Sequence, residues 1–215
     1  MRMRANNTAL KKLAHTVDTW QDRGAVDKYI DLFTGDLAVL CVESFLIKNG
    51  LPRESVIIYD VYRVVKGVDP EFKYPGKWDI MVCSNIKLEV KSSIEKYSPN
   101  LSVIVKRRRI IAYPGREKEV DIYVQVFYIP EPLDIGWRLE DPRELSLDDA
   151  RELLTRLDKA YLMGWATRED LEKRTVISII GRTSRERSRD YRNLRIEEAR
   201  PMDDLIRYLK LRCHG

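Results

Sequence analysis

The sequence predicts an α/β protein in which helices flank a small mixed β-sheet. Three observations support this fold class. Apolar residues recur with helical spacing over about 26–48, β-prone runs follow between 55 and 93, and the strongest β-prone run, "VDIYVQVFYIP", occupies 120–130. A helix is expected between the last two strands, so the order helix, three strands, helix, strand predicts an α/β sandwich.

Two helices are predicted before the first strand. One covers 7–23 and ends at Gly24, and the other covers about 26–48 and ends at the stop signal Asn49-Gly50. The apolar stripe of the first helix consists of Leu10, Leu13, Ala14, Val17 and Trp20.

The three strands of the meander come next. The first is predicted over "SVIIYDVYRVV" at 55–65, and the Gly- and Pro-containing run at 66–77 is a loop. The stretch "KWDIMVCSNIKLEVKSS" at 77–93 contains two short apolar runs that predict a hairpin. The run "SPNLSVIVKRRRIIAY" at 98–113 is predicted to be a helix capped by Ser98, although its Val and Ile content also suits a strand.

The C-terminal third is expected to extend the core. A loop is predicted at 130–142, a helix capped by Ser146 at 146–164, and a short helix capped by Thr167. The remaining predictions are a strand at 175–180, an exposed Arg-rich arm at 182–195 and a closing helix at 200–211. The simplest organisation is one domain, 1–215, with an N-terminal helix (1–25), a core (26–130) and a helical C-terminal extension (131–215).

Charge is high and unevenly distributed. Charged residues make up 34% of the chain, and Gln occurs only twice, a bias that indicates a thermophilic source, archaeal or viral origin being left open. The net charge of +5 is compatible with a polyanionic partner. Two basic runs, Lys106–Arg109 and Arg182–Arg195, favour DNA over the alternative of a solvated face.

Cysteine and histidine are scarce. Cys41, Cys83 and Cys213 lack CxxC spacing and are expected to be thiols in a reducing compartment rather than a disulfide or a zinc site. Two histidines, one near each end, argue against zinc hydrolases, histidine-based nucleases and Ser-His-Asp chemistry. No signal peptide and no apolar run of membrane-spanning length is recognised, so a cytoplasmic protein is expected.

The hairpin carries the candidate catalytic residues Asp79, Glu89 and Lys91. Strand alternation places Glu89 and Lys91 on one face and Val90 on the other. A two-residue turn would put Asp79 on the wrong face, whereas a three-residue Ser84–Ile86 turn pairs Asp79 with Lys91. Joint function of these residues therefore predicts an odd-numbered loop or a β-bulge.

These residue types suit phosphodiester hydrolysis. Two carboxylates, Asp79 and Glu89, can hold Mg²⁺ (or Mn²⁺) with the backbone carbonyl of Val90 as a further ligand. Lys91 can orient or help to deprotonate the attacking water. A second set at similar spacing, Asp60 with Glu71-Phe72-Lys73, is rejected because Gly and Pro residues surround it and leave no strand to present it.

The pattern Asp79, Glu89-Val90-Lys91 resembles the PD-(D/E)XK, or restriction-endonuclease-like, nuclease superfamily. "EVKSS" is a typical second half of that motif, although Trp78 stands where a proline can precede the aspartate. The resemblance implies a core of helix, three-stranded meander, helix and strand, matched over about 26–130. It further implies a Mg²⁺-dependent DNA endonuclease with Asp79, Glu89 and Lys91 as catalytic residues.

Many members of the superfamily add an acid from the first helix. The segment "GDLAVLCVESFLIKNG" is similar to that helix in archaeal Holliday-junction resolvases, which implies a homodimer and branched or junction DNA as substrate. Glu43 is the preferred catalytic and metal-binding acid and Asp36 the reserve, because the two lie seven residues apart on about the same helical face.

DNA contacts are expected from the two basic runs, without sequence readout. The residues concerned are Lys106, Arg107, Arg108, Arg109, Arg182, Arg185, Arg187, Arg189 and Arg192. Trp137 and Trp165 are expected in the core or at an interface rather than as base-stacking platforms. Two alternatives remain: an inactive DNA-binding or assembly protein that retains the fold, and an interaction module whose Arg arm binds an acidic partner.

Overall fold

A computed structural model describes residues 1–16, 24–113, 120–179 and 189–213. The helices in these ranges are α1 (Arg2–Leu13), α2 (Ala25–Lys48), α3 (Tyr59–Val65), α4 (Leu101–Arg107), α5 (Asp134–Glu140), α6 (Leu147–Leu154), α7 (Arg168–Glu172) and α8 (Met202–Cys213). The strands are β1 (Val56–Ile58), β2 (Ile80–Val82), β3 (Ile86–Ile94), β4 (Arg109–Ala112), β5 (Ile122–Tyr128), β6 (Ala160–Thr167), β7 (Ile177–Ile179) and β8 (Arg189–Arg195). None of the helices in the described ranges has the length and apolar character needed to cross a bilayer.

The central sheet is mixed, as predicted. Its five strands lie in the order β1-β2-β3-β5-β6, and only the β3–β5 pair is parallel. A second, antiparallel sheet has the order β4-β8-β7. The α/β class with helices flanking a mixed sheet is therefore confirmed.

Strand β5 lies between β3 and β6, and all seven of its residues are buried. Its even-numbered side chains pack with α2, whereas Tyr123 packs with Trp78 and with Ile110 and Leu194 of the second sheet. Burial on both faces explains why this strand has a continuous apolar sequence instead of an alternating one.

The β2–β3 hairpin has an odd loop, although it lies one residue earlier than predicted. Ile80 pairs with Leu88 and Val82 with Ile86, which leaves the three-residue connection 83–85. Cys83 and Ser84 have φ angles of 50° and 63°. The predicted parity is confirmed, but the Ser84–Ile86 turn is wrong. Extending this register brings Asp79 opposite Glu89 instead of Lys91.

The two N-terminal helices differ in how well the sequence predicted them. α1 begins at Arg2 and ends at Leu13, so the predicted 7–23 segment is displaced, and 17–23 lie outside the described residues. α2 agrees with its prediction. Its end is a Schellman motif, in which Gly50 has φ 93° and the N–H of Leu51 donates to the Leu46 carbonyl.

The predicted strand at 55–65 is correct only for its first residues. The chain turns into α3 at Tyr59, and the buried residues of α3, Tyr59 and Arg63, have a helical spacing of four. Burial of Arg63 against Asp60, Asp69 and the ring of Phe72 outweighs the β propensity of the valines in this run.

The run 98–113 divides into a helix and a strand. The N-cap of α4 is Asn100, not Ser98, since the Asn100 side chain accepts from the N–H of Ser102. From Arg109 onward the chain forms β4, which pairs with β8. Both alternatives for this run were therefore correct, each for one half.

The C-terminal predictions were mixed. The helix caps Ser146 and Thr167 are confirmed, as are β7 and α8. The predicted loop at 130–142 contains α5. The predicted helix at 146–164 ends at Leu154, and β6 follows because its residues complete the sheet beside β5.

The predicted Arg-rich arm is partly a strand. Residues 189–195 form β8, which lies between β4 and β7, so this half is not a free arm. Residues 180–188, which include Arg182, Arg185 and Arg187, lie outside the described residues, and Arg189 is described by its backbone alone.

Cys83 and Cys213 form a disulfide, with their Cα atoms 5.6 Å apart. The prediction of thiols was wrong for these two residues and holds for Cys41, which is free. The bond joins the hairpin loop to the last residue of α8. It spans 130 residues of sequence, so spacing along the chain could not reveal it.

Loss of this disulfide is expected to destabilise the protein. Closing so long a loop restricts the unfolded chain, so Cys83→Ser should lower the free energy of unfolding by about 2–4 kcal/mol. Urea denaturation with and without a reductant measures this. Cys41→Ser is the control, and a wild-type protein whose midpoint is unaffected by the reductant would contradict the assignment.

Candidate active site

Five carboxylates line one cleft of about 460 Å³, and four of them lie on separate elements, while the fifth, Asp31, is exposed on α2 five residues before Asp36. Asp36 comes from α2, Asp60 from the first turn of α3, Asp79 from the residue before β2, and Glu89 from β3. Val90 of β3 completes this wall. These elements meet just before the first residue of β2, beside the middle of β3, so residues distant in sequence come together.

Asp79 is held by the backbone of β3. Its N–H donates to the Leu88 carbonyl at 2.9 Å, and its carboxylate accepts from the Val90 N–H at 2.8 Å. The N–H and C=O of one residue point to the same edge of an extended strand. The Val90 carbonyl therefore faces the same edge as Asp79, as expected for a backbone ligand.

Glu89 and Lys91 form an ion pair on the face of β3 opposite to the Leu88 and Val90 side chains. The Lys91 Nζ donates to Glu89 Oε1 at 2.6 Å, and it lies 5.5 Å from the centre of the Tyr113 ring. Glu89 Oε2 is buried and has no hydrogen-bond partner among the described residues. One oxygen of Glu89 is thus neutralised by lysine, and the other is left to interact with something else.

Asp36 is the most buried of the four acids. Lys12 of α1 donates to Asp36 Oδ1 and lies 2.5 Å from Asp60 Oδ2, so it bridges the two carboxylates. Asp36 Oδ2 is buried and has no hydrogen-bond partner in the described part of the chain. Burial raises the pKa of Asp36 to about 6, with Asp60 and Asp79 adding to the rise and Lys12 opposing it.

Lys12 is the counter-ion of this acid cluster. Burial alone would lower its pKa, but the charges and hydrogen bonds of Asp36 and Asp60 outweigh burial and raise it. Lys12 therefore stays protonated at neutral pH. The adjacent acids are tolerated because this ammonium group lies between two of them.

Arg63 fixes the outer wall of the cleft. It pairs with Asp60 at 2.7 Å and with Asp69 at 3.2 Å, donates to the Tyr74 carbonyl and stacks 4.1 Å from the Phe72 ring. Asp69 also accepts from the N–H groups at 73 and 74. A loop without regular secondary structure is thereby held in one position.

The structure brings Asp36, Asp79, Glu89 and Val90 together, with Lys91 beside Glu89. Glu43, the preferred first-helix acid, is absent from this wall and lies 3.7 Å from Arg4 of α1. The reserve, Asp36, is the buried acid of α2 that lines the cleft, beside the exposed Asp31. The seven-residue spacing puts both Glu43 and Asp36 on about the same face of the helix, so it could not distinguish them. They lie about two turns apart along the helix axis, and Asp36 is at the level of the cleft.

Sequence reasoning missed Asp60 and Lys12. Asp60 was considered only as part of the rejected Asp60, Glu71, Lys73 set, and that rejection holds for the other two, which are exposed and pair with each other at 2.5 Å. The position of Asp60 just after β1 was the available signal. Nothing in the sequence distinguishes Lys12 from other surface lysines.

The basic run 106–109, which covers the end of α4 and the start of β4, serves two roles. Lys106, Arg107 and Arg109 are exposed, as DNA contacts require. Arg108 instead pairs with the buried Glu95, with its Nε and Nη2 both 3.0 Å from Oε2. Burial would raise the pKa of Glu95, but Arg108 and two backbone N–H groups lower it. Arg108 is therefore a structural cation. Arg192 is half-buried in β8.

The cleft contains oxygen donors of the kind that bind a divalent cation. Within the described ranges, no three His, Cys, Asp or Glu side chains are gathered closely enough to hold a metal as they stand. Lys12 and Lys91 pair with three of the cleft acids, Asp36, Asp60 and Glu89. However, two buried carboxylate oxygens without partners and the carboxylate of Asp79 are the hard donors that Mg²⁺ and Mn²⁺ prefer, so the residues fit such an ion.

Comparison with known proteins found no match among family models, curated proteins or solved structures.

Burial of Asp36 predicts an unusual pH dependence of stability. Its native pKa of about 6 lies above the unfolded value of 3.8, so the native state binds the extra proton between these pH values. This group therefore lowers stability as pH rises through that window, by on the order of 3 kcal/mol. Asp36→Asn should abolish this loss.

Urea unfolding in EDTA at pH 4.5 and pH 7.5 tests the prediction. As pH rises from 4.5 to 7.5, the free energy of unfolding of Asp36→Asn should rise by about 2–3 kcal/mol more, or fall by that much less, than that of wild type. Glu71→Gln, which alters an exposed acid, is the control. An identical pH dependence in wild type and Asp36→Asn would contradict the raised pKa.

Proposed function

We propose that this protein is a Mg²⁺-dependent nuclease that hydrolyses phosphodiester bonds in DNA. The observation that carries the proposal is the meeting of Asp36, Asp79 and Glu89 in one cleft, with Lys91 bound to Glu89. Two of these acids have a buried oxygen without a hydrogen-bond partner among the described residues. Burying an unpaired carboxylate oxygen raises the free energy of the folded state. Proteins keep such acids mainly where they bind a cation or take part in a reaction.

The order of elements supports the same proposal. The helix α2 precedes a meander of β1, β2 and β3, and the chain then returns through α4 to β5, which is parallel to β3. This is the order that the resemblance to PD-(D/E)XK nucleases implies, with α3 and β4 inserted. The acids lie just before the first residue of β2, beside the middle of β3.

Each residue has a separate task in this proposal. Asp36, Asp79 and Glu89 would hold Mg²⁺, with the Val90 carbonyl as a further donor. The bound ion offsets phosphate charge and makes water more acidic. Lys91 hydrogen-bonds the attacking water and orients it toward phosphorus, and its charge stabilises the phosphate oxygens. Asp60 and Lys12 set the electrostatic potential around Asp36.

The substrate is proposed to be DNA, with branched or junction DNA as the preferred form and a homodimer as the active species. Lys106 and Arg107 are exposed on α4 and make no ion pair within the described ranges, so phosphates are the partners that they suit. Such contacts predict binding that weakens steeply with salt.

A second candidate is a DNA-binding protein without catalysis. The contact of Lys12 with both Asp36 and Asp60 favours it, because a lysine already supplies the charge that a metal would contribute. The two candidates share the DNA-binding surface and differ in whether Lys91 and Glu89 are needed for anything beyond folding.

Cleavage of labelled duplex, flap and four-way-junction DNA in Mg²⁺ or Mn²⁺ distinguishes them. Lys91→Ala and Glu89→Gln should each lower the cleavage rate by about 100-fold or more, because a positioned acid-base group contributes at least that much. The chain provides a control in Glu71→Gln, the exposed acid of the other acid-x-lysine triplet, which should cleave at the wild-type rate.

Wild-type binding to DNA without cleavage would favour the second candidate. Cleavage that survives both Lys91→Ala and Glu89→Gln would contradict the site assignment, whatever the substrate. Circular dichroism of each variant establishes that it is folded.

A further inference from the structure

An exposed aromatic pair lies at the end of the strand that carries Glu89 and Lys91. Tyr97 and Trp137 are 55% and 47% exposed, and their rings meet edge to face at a centroid distance of 4.9 Å. The sequence suggested a core or interface position for Trp137 and Trp165. Trp165 is indeed buried, whereas Trp137 is not in the core.

The pair is held rigidly. Lys96 lies 4.9 Å from the Tyr97 ring centre and 4.6 Å from the Trp137 ring centre, and its ammonium group pairs with Glu140. Gly136 lets α5 approach the backbone at Glu95, since a Cβ there would overlap the Glu95 carbonyl oxygen. Rigid rings lose little conformational entropy when a flat ligand stacks on them.

Net positive charge lies on one side of the pair. Arg107 and Arg108 line a small cleft of about 170 Å³ together with Tyr97. Arg108 is neutralised by Glu95, so Lys106 and Arg107 supply the net charge on this side. On α5, Glu140 already neutralises Lys96, and Asp134 is an exposed acid. Exposed aromatic rings beside cations are the combination that binds single-stranded nucleic acid.

The surface lies within reach of the candidate active site. Six residues separate Lys91 from Tyr97, so at about 3.3 Å per strand residue the two are at most about 20 Å apart. An unpaired stretch of a few nucleotides can cover this distance. Duplex DNA would offer its phosphates to Lys106 and Arg107, but its bases are stacked on one another and cannot stack on the rings.

We propose that Tyr97 and Trp137 form a stacking site for unpaired bases of a nucleic-acid strand whose phosphates contact Lys106 and Arg107. The protein would then select DNA with a single-stranded segment next to the scissile bond. This inference rests on the proposed function for the identity of the partner as nucleic acid, and it adds the feature of the strand that is recognised.

The test is fluorescence anisotropy with a labelled 15-nucleotide dT oligomer in EDTA and 0.1 M salt, so that no cleavage occurs. Trp137→Ala should weaken binding by about 5- to 150-fold, the range for loss of one stacked base. Trp137→Phe keeps a ring and should stay within about 3-fold of wild type. Val65→Ala, which shortens another exposed apolar side chain, is the control.

A fully abasic oligomer of the same length separates stacking from charge. The double variant Tyr97→Ala/Trp137→Ala should bind both oligomers equally, and wild type should bind the abasic oligomer about as weakly as this variant binds dT. A duplex of the same length should be bound with equal affinity by wild type and by Trp137→Ala. Arg107→Ala should weaken binding to all three and reduce the salt slope by about one.

Unchanged dT affinity in Trp137→Ala, or an equal loss for dT and duplex, would overturn the stacking site. In that case the exposed pair would belong to a protein interface. Because binding is measured without metal, its outcome is independent of cleavage. Stacking without any cleavage would overturn the proposed nuclease alone, and cleavage with unaltered dT binding by Trp137→Ala would overturn the stacking site alone.

Discussion

The pairing of Ile80 with Leu88, enforced by a three-residue connection, determines which side chains of β3 enter the cleft. In a strand a shift of one residue turns every side chain to the opposite face. Such a shift would move Glu89 and Lys91 away from the second sheet and would expose Leu88. The hydrogen bonds from the Asp79 N–H to the Leu88 carbonyl and from the Val90 N–H to the Asp79 carboxylate hold the two strands in this alignment.

The same alignment creates an electrostatic cost. It brings Asp79 and Glu89 into a wall that already contains Asp36 and Asp60. Lysines on two other elements offset part of this charge, and the remaining cost is visible in the raised pKa of Asp36. Because replacing the acids would be the simpler route to stability, the retained cost supports the proposal of a positive ligand in this cleft.

The parts of the fold with strong local signals could be predicted from the sequence. The periodicity of α2, the apolar run of β5 and the capping boxes at Ser146 and Thr167 depend on neighbouring residues, and each was predicted correctly. The ending of β1 at Ile58 was not, because it depends on the burial of Arg63 by a loop that comes later in the chain.

The candidate site divides in the same way. Asp79, Glu89 and Lys91 belong to one hairpin, so alternation and turn parity were enough to bring them together. Choosing Asp36 over Glu43, and including Lys12, requires knowledge of how α1 and α2 lie against the sheet. No spacing along the sequence encodes that packing. The exposure of Trp137 likewise depends on the close approach of Gly136 to the backbone at Glu95.

Anomalous diffraction from crystals soaked in Mn²⁺ would locate a bound ion without reference to any substrate. We expect a single strong manganese peak in the cleft, within about 2.0–2.5 Å of oxygens from Asp79, Glu89 and the Val90 carbonyl. The Asp36 carboxylate should turn toward the same ion. Saturating Mn²⁺ with no peak in this cleft, or a peak whose ligands exclude both Asp79 and Glu89, would contradict the proposed metal site.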